Sequence, residues 1–222
     1  MKYIQLIISC LIALMLFTIV KDRPQPRKTI ETSKVSYDHL MNHRYDAIIS
    51  QATLMSMGMV QKDIFQPLSE LFKTRYKDTS AMRYGTLEIL ISSPGGSTDA
   101  GFELIKGMEY LKKVSKMRVI CYVEQASSIA FTVMMGICDK RIALGTPTLI
   151  VHRAAMVDRS SHMYTVMSSL IDLRMAGIEV AHMTNMRIKQ WLKMTRQPNV
   201  DRRLTKEEMK KYDIIQEFRK LD

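Results

Sequence analysis

Cysteine is scarce in this chain. Three residues, Cys10, Cys121 and Cys138, occur in 222. The last two fall in segments that read as a core strand and a buried helix. An odd, sparse set at such places excludes a disulfide framework and fits a reducing compartment. There is no internal repeat, no low-complexity tract, no zinc-finger spacing and no aromatic-basic RNA-binding motif. The net charge of +11 therefore comes without a nucleic-acid signature, and nucleic acid is not the expected partner. His39 and His43 stand four apart with no third ligand nearby. They read as solvated side chains, and no metal or cofactor is expected.

What is present is an ordinary globular composition, 46% hydrophobic and 25% charged. It suits one domain plus an appendage. The 19 methionines suit an irregular interior or an interface.

Tyr3 to Val20 carries no charge. As a helix it would span roughly 27 Å, close to the hydrocarbon thickness of a bilayer. No Ala-x-Ala precedes Lys21, so an uncleaved membrane anchor is favoured over a signal peptide. Residues 1–20 are accordingly read as a single-pass transmembrane helix. The flanking charges lean towards a cytoplasmic domain. Residues 21–46, with Pro24 and Pro26, read as a polar linker, and the domain runs from 47 to 222.

Within that domain, strand-like and helix-like segments alternate. Asp63–Tyr76 has helical spacing. Leu87–Ile91 reads as a buried strand, Ala100–Val114 as a helix, Arg118–Val123 as a second strand, and Ser127–Cys138 as a helix buried on all sides. Two short strands, Lys140–Leu144 and Thr148–Val151, flank a Gly145-Thr146-Pro147 turn. Ser160–Met194 reads as one long helix, broken near Gly177 if anywhere. Thr205, with Glu208 three residues on, fits a capping box for a short helix to Lys211. Such alternation predicts an α/β fold of parallel strands covered by helices.

Three stretches carry chemistry. Ser92-Ser-Pro-Gly-Gly-Ser97 closes a strand, and its glycines let backbone amides turn outward, as an oxyanion hole needs. A plain turn would look the same. Gln125-Ala-Ser-Ser-Ile-Ala130 follows a strand and opens a helix. A serine there is a cap or a nucleophile facing helix-terminal amides, and residue chemistry alone does not choose between Ser127 and Ser128. His152 closes the strand Thr148–His152, either as a satisfied polar group or as a general base.

Together, Leu90-Ile-Ser-Ser-Pro-Gly-Gly-Ser97, Glu124-Gln-Ala-Ser-Ser-Ile-Ala130 and Leu149-Ile-Val-His-Arg153 resemble the signature stretches of ClpP, the proteolytic subunit of the Clp protease. The likeness runs from about Gly58 to the C-terminus, with blocks in matching order and spacing. It implies a ClpP/crotonase-like spiral of βαβ units and a serine endopeptidase that cleaves polypeptides through an acyl-enzyme. By resemblance the nucleophile is Ser128, the base His152 and the orienting carboxylate Asp201, with oxyanion amides from Gly96 and Ile129. The family further implies a homo-oligomer and an ATPase unfoldase partner. Arg153-Ala-Ala-Met-Val-Asp158 replaces the family's glycine-rich opening after the histidine, and Val200 stands where an arginine is common. Both departures bear on ring assembly. An anchored SppA-like peptidase, a phage ClpP-like processing protease, a crotonase acting on acyl-CoA thioesters and a non-catalytic ClpP-like adaptor are the alternatives.

Overall fold

The computed structural model describes residues 30–31, 45–75, 85–154, 162–196 and 200–220. Their strands are β1 (Ile30–Glu31), β2 (Ala47–Ile49), β3 (Thr86–Ser93), β4 (Arg118–Ser127), β5 (Lys140–Val151), β6 (Arg202–Arg203) and β7 (Glu217–Arg219). The helices are α1 (Met57–Val60), α2 (Gln66–Arg75), α3 (Thr98–Ser115), α4 (Ile129–Ile137), α5 (His162–Ala181), α6 (Ile188–Thr195) and α7 (Lys206–Lys211). A π-helical turn, Gln61–Phe65, joins α1 to α2. These seven strands form one sheet in the order β1-β7-β5-β4-β3-β2, with β6 paired to β5 off that path. The pairs along the path are parallel, as strand-helix alternation predicts, and β5–β6 is antiparallel.

Alternation along the strands divides the core. Leu87, Ile89, Ile91, Cys121 and Val123 are fully buried in the main core with α3 and α4. The opposite face carries a smaller cluster of Tyr122, Ile142 and Leu144, with Leu90 and Ile120 partly buried beside it. Helix α4 is buried along its length, and the apolar run of its sequence leaves no polar face to present to water.

Several boundaries differ from the sequence reading. β5 is one strand of twelve residues. Gly145, at φ 61°, absorbs the irregularity without ending it. The long helix breaks at residues 182–187, between α5 and α6. Gly177 lies inside α5, where an added Cβ would meet open space, so nothing there forces a break. Cys121 and Cys138 form a disulfide, with Cα atoms 5.7 Å apart. The reading of isolated thiols is corrected, and the argument for a reducing compartment falls with it.

The single-pass membrane assignment is also corrected. Among the described residues no helix is long and apolar enough to cross a bilayer. The stretch Tyr3–Val20 lies outside them.

Candidate active site

β4 delivers Ser127 and Ser128 to the same sheet edge in different states. Ser127 is the last strand residue, paired with Ile150 and 5% exposed. Its Oγ finds no hydrogen-bond partner among the described residues. Ser128 leaves the strand at φ 56°, ψ −130°, a conformation costing about 1–3 kcal/mol for a residue with a side chain. Its N–H donates to the Ile150 carbonyl (2.9 Å), and its own carbonyl accepts from the Phe131 N–H (3.1 Å). The turn is thus held on both sides, and α4 starts at the next residue. The main chain distinguishes the two serines: Ser127 is packed away, while Ser128 is half-buried on a strained strand-to-helix turn.

The glycine loop lies directly against this turn. Gly95, at φ 110°, is so close that a Cβ on it would sit 2.7 Å from the Ser128 Cβ. A Cβ on Gly96 would sit 2.2 Å from the Leu54 carbonyl oxygen. The loop is pinned there by the Ser97 N–H, which donates to that oxygen at 2.7 Å. Among the described residues the amides of Gly96 and Ile129 donate to no protein acceptor. Backbone donors left free in this way can receive an oxyanion where they face a common point.

His152 follows β5 immediately. In the β5–β6 register Ile150 faces Arg203 and Val151 faces Arg202. His152 directly follows, and Asp201 directly precedes, the Val151–Arg202 pair that ends this ladder. Ser128 and His152 thus stand one residue past the ends of β4 and β5, and Asp201 one residue before β6. No hydrogen bond joins these three side chains to one another. The His152 Nδ1 is instead 2.7 Å from the Arg153 carbonyl oxygen. A carbonyl only accepts, so Nδ1 is the donor in this contact, and in the neutral ring Nε2 is then the acceptor.

Sequence reasoning missed a buried charged row behind these strand ends. Asp172, on α5, accepts the Ala154 N–H at 2.7 Å and lies within ion-pair distance of Arg153 (3.3 Å) and Arg196 (3.4 Å). Burial pushes its carboxyl above the ordinary value, and the Ala154 bond and the two guanidinium groups pull the other way. Glu179, two turns further along α5 and 0% exposed, binds the Arg196 guanidinium. Acids at this spacing on a helix stripe that also buries Met175, Ala176 and Val180 were the available signal. Among the described residues no group of three or more His, Cys, Asp or Glu side chains is placed to hold a metal ion.

Fold and turn together define the class: a parallel α/β protein with a strained serine turn at the carboxyl end of a central strand. The Clp protease family matches residues 36–220, and the chain belongs to that family. It is also similar to the ATP-dependent Clp protease proteolytic subunit 2 of Bacillus licheniformis, at 37% identity over 67 residues. That similarity covers 30% of this chain and 34% of the subunit, so the chain spans about a third of the length of the curated relative it matches.

Proposed function

We propose that this protein is a serine endopeptidase of the Clp type, with Ser128 as nucleophile, His152 as base and Asp201 as the carboxylate that supports the imidazolium. The observation that carries this reading is the positive-φ turn at Ser128, beside the strand that His152 directly follows and against the glycine loop. His152 Nε2 takes the proton from Ser128 Oγ as the oxygen attacks a peptide carbonyl. The tetrahedral oxyanion is received by the amides of Gly96 and Ile129. The leaving amine takes the proton back from His152, and water activated by the same ring hydrolyses the acyl-enzyme. In apo sites such hydrogen bonds are often long and tighten only around substrate.

The test is covalent labelling with a fluorophosphonate probe. Ser128→Ala abolishes labelling and lowers peptide cleavage by about 10⁴-fold or more, while Ser127→Ala retains both. Labelling that follows Ser127 instead overturns the assignment.

A second reading, a non-catalytic ClpP-like subunit, draws on the same ring. The Nδ1 hydrogen of His152 goes to the Arg153 carbonyl and not to Asp201. Absence of labelling and cleavage in a folded, assembled protein would favour that role.

A further inference from the structure

Asp172 and Glu179 lie seven residues apart, two turns along one face of α5, and are 4% and 0% exposed. Arg196, just past α6, serves both. Its Nη2 donates to Glu179 Oε1 (2.8 Å) and Oε2 (3.0 Å), and its Nε is 3.4 Å from Asp172 Oδ1. Glu179 also accepts from Thr132 Oγ1 on α4 (2.6 Å) and from Trp191 Nε1 on α6 (2.5 Å). Such a row is expensive to bury, and apolar side chains of similar volume would pack as well. Its placement indicates what it does beyond packing.

The row ends on the two residues that follow His152. Asp172 Oδ1 takes the Ala154 N–H at 2.7 Å, and Ser168 Oγ donates to the Ala154 carbonyl at 2.9 Å. Arg153 Nε is 3.3 Å from Asp172 Oδ2, and Arg153 Nη2 reaches Ser169 Oγ at 3.4 Å. One face of α5 thus grips both residues through side chain and main chain. Arg153 carries the carbonyl that holds His152 Nδ1.

We propose that Asp172 is a positioning residue for His152: it fixes the Arg153–Ala154 main chain so that the Arg153 carbonyl takes the Nδ1 hydrogen and Nε2 stays free to accept a proton. The inference rests on the reading of His152 as the base. Through Arg196 and Glu179 the same frame reaches Thr132 on α4, the helix that begins one residue after Ser128. Base and nucleophile are thereby referred to a common buried scaffold.

The experiment has two readouts. Nitrogen-15 NMR of the histidine side chains, with His152 assigned by its loss in His152→Gln, reads the tautomer directly. The wild type is expected to show Nδ1–H with unprotonated Nε2, and Asp172→Asn a mixture of tautomers. The rate of Ser128 labelling by the fluorophosphonate, per folded molecule and across the histidine titration, is expected to fall about tenfold or more in Asp172→Asn, with a displaced pH profile. A role in stability alone would lower the melting temperature and leave tautomer, profile and labelling rate unchanged, which overturns the proposal. Asp172→Asn is nearly isosteric and keeps an acceptor for the Ala154 N–H. If it fails to fold, the wild-type tautomer still decides, because an Nε2–H ring sinks the idea alone. A wild type that is never labelled at Ser128 defeats the peptidase reading, while the dependence of the His152 tautomer on Asp172 remains measurable.

Discussion

His182 is held against protonation by burial first, then by the positive charges of Arg141 and Lys112, with Asp139 offsetting them in part. Its pKa falls from 6.5 to about 4. The unfolded chain therefore binds this proton before the folded one does. Stability is fully present above pH 6.5 and is lost as pH falls from there towards 4. Relative to His182→Gln, the wild type is expected to lose on the order of 1–2 kcal/mol across that window, allowing for partial exposure. Urea midpoints measured against pH check this, and a constant difference between the two proteins would refute it. Residue-scale legibility was uneven. Strand-end glycines, serines and His152 stood out because few residue types serve a tight turn or a general base. The positive φ that sets Ser128 apart from Ser127 was not legible, because a backbone dihedral has no signature in two adjacent serines.

Among the elements, the capping box was legible in full: Thr205 accepts the Glu208 N–H, and Glu208 reaches back to the Thr205 N–H. Its signal is local, confined to four residues. β6 was not legible, because a two-residue strand exists only through its partner β5. The helix break at 182–187 was likewise hidden. The apolar pattern continues across it, with Met183 and Met186 buried in the irregular segment. The Cys121–Cys138 bond joins β4 to the residue capping the C-terminus of α4, a proximity created by the strand-turn-helix reversal. Its sequence separation of 17 corresponds, by loop-closure entropy, to about 3 kcal/mol. Reduction by a dithiol, or the double change Cys121→Ser and Cys138→Ser, is expected to lower the urea midpoint accordingly. Thiol titration of the untreated protein provides the converse: free Cys121 and Cys138 would contradict the bond.

For the molecule as a whole, the parallel α/β architecture was readable from strand-helix alternation, whereas the charged row joining α4, α5 and α6 was not. That row depends on helices meeting in three dimensions. Helix α5 leaves Val166, Met167 and Leu170 exposed, at 55%, 45% and 47%. A contiguous apolar stripe of this kind on a long helix suits contact with another copy of the chain. Leu170→Asp is expected to shift sedimentation velocity towards smaller species, and an unchanged profile would count against self-association through this face. The bond between Cys121 and Cys138 also has a topological effect. It makes residues 121–138 a covalent ring that includes Ser128. One proteolytic nick anywhere in that ring leaves its two fragments tethered. They would travel as one band on a gel until a reductant parts them.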